Sequence, residues 1–412
     1  MAVAKPMPLY PTYSELKDFQ FDDYPSLHAF IAGGQSWWAK HWRWGHAFLQ
    51  YIGRNKSEHT FTRFRHETER FLLWVFLVKA KPMNELRKAD ILEYADFCWQ
   101  PPVTWMGTAN HEKFIPKNGF YYHNPQWMPF KLKLPKNTQF DNLPDKKKYK
   151  PSQQTLTATF TAVIAFYKYL MNEEELYGNP AQIAKADCRH FIKDAQVKEI
   201  RRLTEDQWQT VFKVALELAD NDRLYERSLF VIAALKVLFL RVSELSERTS
   251  WVPVMSHFWQ DNDGNWWLKV YGKGRKLRDI TVPNSFIDYL KRYRVYRGLP
   301  PLPAVGENAP LVEKIRGQGG MTARQLTRIV QEVFDIAYQK MRVTAGEDSA
   351  RKLKEASTHW LRHTGASMEV ERGRALKDLS EDLGHASMAT TDTIYVQTEN
   401  RIRAQSGKDR KV

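Results

Sequence analysis

The longest apolar run in the chain, LFVIAALKVLFL (Leu229–Leu240), leads directly into three short β-like segments. A bilayer-spanning helix needs about 20 apolar residues, and this run is shorter and carries Lys236, so it reads as a helix buried in a globular core ending at Arg241. The segments that follow, WVPVMSHFW, NWWLKVY and LRDITVP, are separated by the turn signals DNDGN and GKGRK. Helical periodicity resumes on both sides of them. Together these features restrict the chain to a mainly α fold with one small antiparallel β-sheet, an α+β class.

The helices on either side define two domains. In TFTRFRHETERFLLWVFLV, Phe61, Phe64, Phe71, Trp74, Val75 and Val78 recur at helical spacing, with Arg63, Arg65, Arg70 and the acids on the other faces. In SQQTLTATFTAVIAFYKYLM, Leu156, Phe160, Val163, Tyr167 and Leu170 do the same before YGNP ends the helix. Thr204 and Gln207 form a capping-box pattern ahead of an apolar face of Trp208, Val211, Phe212, Ala215 and Leu218. The expected division is an N-terminal arm (1–24), a helical domain (25–192), a linker (193–202) and a second domain (203–412).

Residues 101–150 have poor periodicity and read as a long loop or insertion. Lysines, including Lys146, Lys147 and Lys148, alternate there with Trp105, Tyr121, Tyr122, Trp127 and Tyr149. Such a segment can track a phosphate backbone and stack on bases. It can equally be an aromatic plug on the first domain with a solvated lysine run.

Charge narrows the partners. Lys and Arg number 62 against 47 Asp and Glu, a formal net charge of +15, which favours a polyanion through counterion release and steering. Nucleic acid is the leading candidate, and no segment reads as a membrane span. The amino terminus has no secretory pattern and the two cysteines, Cys98 and Cys188, make no disulfide framework, so a reducing cytoplasmic setting is expected.

The chemistry concentrates in STHWLRHTGAS and LGHASMATTDTIYV. His359 and His363 stand at i and i+4, the spacing of a metal-binding helix, but Arg362 lies between them and no glutamate does. A cation there opposes a metal ion. Phosphodiester cleavage suits the set better. In-line attack builds negative charge on the non-bridging oxygens, which fixed guanidinium forks stabilise. A tyrosine supplies the nucleophile if a base or cationic surroundings activate it. Tyr395 is the last tyrosine, the one before it being Tyr338.

Five boxes in order resemble the tyrosine recombinases of the phage-integrase type: LFLRVSELSE with Arg241, VYGKGRKLRDITVP with Lys273, HWLRH with His359 and Arg362, LGHAS with His385, and TTDTIYV with Tyr395. The resemblance covers Leu203–Gln397 well and the helical first domain, as a core-binding domain, more loosely. It implies a metal-free and ATP-free site-specific DNA recombinase, needing no cofactor, that closes around double-stranded DNA. Arg241 and Arg362 would clamp the scissile phosphate, His385 would donate to it, His359 would accept the proton of Tyr395, and Lys273 would protonate the leaving 5′ oxygen. Tyr395 would become a 3′-phosphotyrosyl ester. The resemblance further implies a homotetramer on two DNA sites, exchanging strands through a Holliday junction, open to accessory DNA-bending proteins. The setting would be a bacterial or phage-encoded, nucleoid-associated one.

Alternatives stay open at this level. Lys276 competes with Lys273 as the general acid. Arg241 taken alone is better explained as a charge capping the end of the buried helix, with Glu244 and Glu247 as available partners, than as a catalytic group. Arg324 and Arg328 in TARQLTRIV read either as DNA contacts or as solvated arginines. The separation of His385 and Tyr395 (395 − 385 = 10) departs from the family's frequent nine. A catalytically silent DNA-binding protein of the same fold, a topoisomerase and a telomere resolvase are the rival functions.

Overall fold

The computed structural model describes residues 4–132, 145–191, 201–272, 276–384 and 408. The chain divides into two compact units, Met1–Gln196 and Val197–Val412, each with its own apolar core.

In the first unit, helices α1 (Tyr13–Lys17), α2 (Pro25–Ala32), α3 (Trp38–Asn55), α4 (Glu58–Trp74), α5 (Lys88–Trp99), α6 (Gln153–Asn172) and α7 (Pro180–Asp187) surround the core. Leu156, Phe160, Val163, Tyr167 and Leu170 of α6 are all buried, as their spacing predicts. Helix α4 departs from its predicted one-sided form. Phe61, Phe71 and Trp74 are buried, but so are Glu67, Thr68 and Glu69. Glu69 accepts from the backbone N–H groups of Leu9 (2.7 Å) and Tyr10 (3.2 Å) and from Lys113 Nζ (2.5 Å). Glu67 accepts from Arg70 Nη1 (2.9 Å) and Thr159 Oγ1 (2.8 Å). Buried carboxylates persist only when paired in this way, and the partners are remote in sequence, so periodicity does not reveal them. Val78, placed on the apolar face by its spacing, is 37% exposed because α4 gives way to a π-turn over Val75–Lys79.

The segment 101–150 carries strands where a loop is expected. Its described part holds a short parallel pair, β1 (Met106–Gly107) with β4 (Phe130–Lys131), and a hairpin, β2 (Phe114–Lys117) with β3 (Phe120–His123). Asn118 and Gly119, with φ of 53° and 81°, supply the two left-handed residues of a tight hairpin turn. Trp105 and Trp127 are buried in the core, and Tyr121 stacks on Tyr24 with ring centroids 5.0 Å apart. These three rings are structural plugs rather than base-stacking groups. Lys146 Nζ donates to the Met106 carbonyl (2.8 Å), while Lys147 and Lys148 are exposed.

The second unit holds α8 (Glu205–Asn221), α9 (Glu226–Val237), α10 (Val242–Leu245), α11 (Asn284–Tyr296), α12 (Ala323–Ala345), α13 (Glu347–Glu355), α14 (Thr358–Glu371) and α15 (Leu376–Leu383). Its sheet runs β5 (Phe258–Gln260), β6 (Trp266–Tyr271), β7 (Leu277–Val282), antiparallel between neighbours. The mainly α class with a small antiparallel sheet is therefore present. Thr204 caps α8 reciprocally with Gln207. Leu229–Leu235 of α9 are buried, and the Lys236 ammonium lies over the Trp208 ring at 5.1 Å.

Helix α9 stops at Val237, short of the predicted Arg241. Phe239 adopts φ 51°, an uncommon conformation for a bulky residue, and Arg241 becomes the N-cap of α10. The apolar run continues through Leu240, so the break is invisible in the sequence. Next to the break α14 packs on α9, with Gly365 so close to the Lys236 carbonyl that a Cβ there would overlap its oxygen. No described helix is long and apolar enough to cross a membrane.

Candidate active site

Arg362 sits on α14 with 2% exposure. Its Nη1 donates to the Phe239 carbonyl and its Nη2 to the Leu383 carbonyl, 2.6 Å away. Arg241 is half-buried at the start of α10, and its Nη1 lies 3.5 Å from that same Leu383 oxygen. Two guanidinium groups from distant parts of the sequence thus meet at the last residue of α15. A small apolar cluster of Phe239, Ala366, Leu379 and Leu383 holds α15 in place. Burial first, and then Arg241, pulls the Arg362 guanidinium down to about 9, with Glu244 opposing and Arg278 adding to the drop. A cation crowded in this way is stabilised when an anion arrives between the arginines.

The counter-charge beneath the pair is Glu244, 1% exposed. It accepts from Arg241 Nη1 (3.1 Å) and from the Arg241 backbone N–H (2.8 Å), so the plain pairing of Arg241 with Glu244 is realised in the same geometry that presents Arg241. Glu247 takes no part, since it accepts from the backbone of Gly320. Arg278 grips Glu244 through Nη1 (2.8 Å) and Nη2 (3.0 Å) and donates from Nε to the Asp382 carbonyl (3.0 Å). Burial works to raise the Glu244 carboxyl, but the Arg278 fork and the Arg241 amide hold it below the ordinary carboxylate range. Gly384 has φ 59°, and a Cβ on it would lie 2.8 Å from Arg278 Cδ, so the turn after α15 is moulded on this arginine.

Sequence reasoning passed over Arg278. Its signal was available: Arg278 shares a strand face with the buried Ile280 and Val282, and a charge at an inward position of an alternating strand requires a buried partner.

His359 is exposed on α14 and packs edge-to-face on His363, ring centroids 4.3 Å apart. Partial burial, then Arg362 and Arg241, hold its imidazole below its ordinary value. It is therefore neutral near pH 7 and able to accept a proton. Among the described residues no group of three or more His, Cys, Asp or Glu is placed to hold a metal ion. Lys276 is exposed at the foot of β7, where its carbonyl accepts from Gly272 N (2.8 Å) across the turn. Arg324 and Arg328 are exposed on α12. Lys273, His385 and Tyr395 lie outside the described residues; in sequence, Lys273 follows Gly272 and His385 follows Gly384.

Residues 201–401 match the model of the phage integrase family. The chain is 27% identical over 266 residues to the tyrosine recombinase XerC of Chlorobaculum parvum, covering 61% of this chain and 71% of that one. It is 25% identical over 255 residues to the tyrosine recombinase XerD of Oceanobacillus iheyensis, covering 61% and 74%. In fold it is similar to the XerH site-specific recombinase bound to its palindromic difH substrate, with a TM-score of 0.53 and 14% identity over 96% of this chain and 93% of that one. The Tn1549 transposon integrase in complex with transposon right end DNA gives a TM-score of 0.52 and 16% identity over 88% and 98%.

Proposed function

This chain belongs to the phage integrase family, the tyrosine recombinases, and on that footing we propose how its residues divide the work of a site-specific DNA recombinase. Its substrate is DNA, which it cuts and rejoins. The observation that carries the assignment of roles is the meeting of Arg241 and Arg362 at the carbonyl of Leu383, the first residue of LGHAS.

Arg241 and Arg362 hold the scissile phosphate, whose negative charge relieves their mutual repulsion and grows in the transition state. His385 adds a hydrogen bond to the same group. The Tyr395 oxygen attacks phosphorus as its proton passes to His359. The 5′ oxygen leaves and takes a proton from Lys273, with Lys276 as the second candidate donor. One P–O ester is exchanged for another, so the 3′-phosphotyrosyl ester keeps the bond energy and a 5′ hydroxyl reverses the step without ATP or metal.

The assembly is a homotetramer on two DNA sites, exchanging strands in pairs for integration, excision or resolution and open to accessory DNA-bending proteins. Lys147, Lys148, Arg324 and Arg328, all exposed, are the backbone contacts of this reading, whereas Lys146 is tied to Met106. The free, buried Cys98 and Cys188 suit a reducing cytoplasm.

The test is an SDS-resistant adduct assay on labelled, nicked duplexes tiled across the ends of the protein's own genetic element, with EDTA present. Wild type is expected to form an adduct on the 3′ side of the break, and Tyr395→Phe to bind DNA without forming one. Salt-sensitive binding with no adduct would instead identify a catalytically silent DNA-binding protein.

A further inference from the structure

We propose that the outer face of the β2–β3 hairpin is a duplex-DNA contact of the first unit, the ribbon lying in the major groove with Lys117 on the backbone. The inference rests on the recombinase reading for the identity of the polyanion, and on the hairpin's own geometry for the contact.

The ladder pairs Ile115 with Tyr122 and Lys117 with Phe120. Strand side chains alternate faces, so these four share one. Ile115 is 43% exposed, Phe120 44% and Tyr122 38%, a concentration of large apolar groups that an isolated surface residue does not explain. The opposite face is anchored to the helices. Phe114 is buried and meets Tyr24 edge-on at 5.0 Å, Tyr121 stacks on the same ring, and the His123 N–H donates to Ser26 Oγ (2.9 Å). The hairpin is anchored by its inner face and displays its outer one.

Charge selects the occupant. The ladder continues to Lys113, whose carbonyl accepts from Asn124 N (2.8 Å), but its ammonium is buried against Glu69 (2.5 Å), so the exposed charge on the face of Ile115 is Lys117. Of the cations near this root, Lys131 is exposed and Arg65 half-buried, while Arg70 is paired with Glu67. Burial lowers the neighbouring His66 first, and Lys113, Arg65, Arg70 and Lys131 lower it further, to about 2, so cations outweigh acids around it. A second copy of this face would bring cations against cations, whereas a polyanion complements them. The major groove, about 12 Å wide, admits a two-stranded ribbon, and thymine methyl groups offer apolar contact to side chains such as Ile115 and Phe120. Lys117 beside the Asn118–Gly119 turn reaches a phosphate.

The test uses the full chain and a labelled duplex carrying the site found in the adduct assay. Ile115→Ser, Phe120→Ser and Tyr122→Ser combined are expected to weaken binding about tenfold and to remove protection of guanine N7 from methylation at the hairpin's position. Lys117→Ala is expected to lower the slope of log affinity against log salt by about 1. If the triple variant lowers Tm, the Lys117→Ala slope decides. Wild type that neither binds nor cuts would overturn the recombinase reading itself. Wild type that does both, with variants matching it in affinity, slope and protection, would overturn the hairpin contact alone. Variants that keep affinity and protection but lose self-association on DNA, measured by sedimentation, would make this face a protein interface and also overturn it.

Discussion

Arg278 holds Glu244 by a two-pronged ion pair, Nη1 to Oε1 at 2.8 Å and Nη2 to Oε2 at 3.0 Å. The pair joins β7 to α10, and the third donor of the same guanidinium reaches the Asp382 carbonyl on α15. Three elements that carry boxes of the recombinase site therefore converge on one side chain. Arg241 and Arg362 owe their orientation to this buried frame as much as to their own contacts.

Glu244→Ala removes the carboxylate that Arg241 and Arg278 share beside Arg362. Removing one partner of a buried ion pair costs roughly 3–5 kcal/mol, so the urea midpoint is expected to fall sharply and cleavage with it. Arg278→Lys keeps the charge but loses the fork. DNA affinity should then stay near wild type while single-turnover cleavage falls about tenfold or more. Cleavage equal to wild type would reduce Arg278 to a generic positive charge.

The depressed imidazole of His359 fixes the direction of the pH dependence. A base works only when neutral, so cleavage at subsaturating DNA should fall with acid around a midpoint below the ordinary histidine value of about 6.5. Bound phosphate neutralises Arg362 and Arg241, so at saturating DNA the midpoint should move up. His359→Asn should lose the acid limb and slow cleavage by roughly 10²-fold or more. For stability the sign is the same: between the lowered pKa and the unfolded value the unfolded chain binds more protons, so His359 makes the fold less stable as pH falls through that window. A midpoint that does not move between the two DNA regimes would contradict the arginine field as its cause.

Gly365→Ala should be strongly destabilising despite alanine's better helix propensity. The propensity gain is about 1 kcal/mol at most, whereas the new Cβ would overlap the Lys236 carbonyl and force α14 from α9, an overpacking cost of about 1–3 kcal/mol or more. Because Arg362 lies one turn before Gly365 on α14, cleavage should fall further than Tm alone accounts for. The checks are thermal denaturation and the adduct assay on the same preparation; an unchanged Tm would refute the close approach.

Much was already decided in the sequence. The buried run at Leu229–Leu240, the strands in NWWLKVY and LRDITVP, the Thr204 capping box and the apolar stripe of α6 rest on interactions between near neighbours, and period and turn chemistry report those directly; of WVPVMSHFW only Phe258 and Trp259 are strand. The order of Arg241, Lys273, His359, Arg362, His385 and Tyr395 was legible too, as a resemblance to the tyrosine recombinases, because ordered boxes are one-dimensional facts. Tertiary structure alone decided the break at Phe239, the burial of Glu67 and Glu69 on α4, the strands within 101–150 and the place of Arg278 between Glu244 and Asp382. Each is bound up with a partner far away along the chain, which satisfies a buried charge or packs against a helix and leaves no periodic trace near the residue it touches.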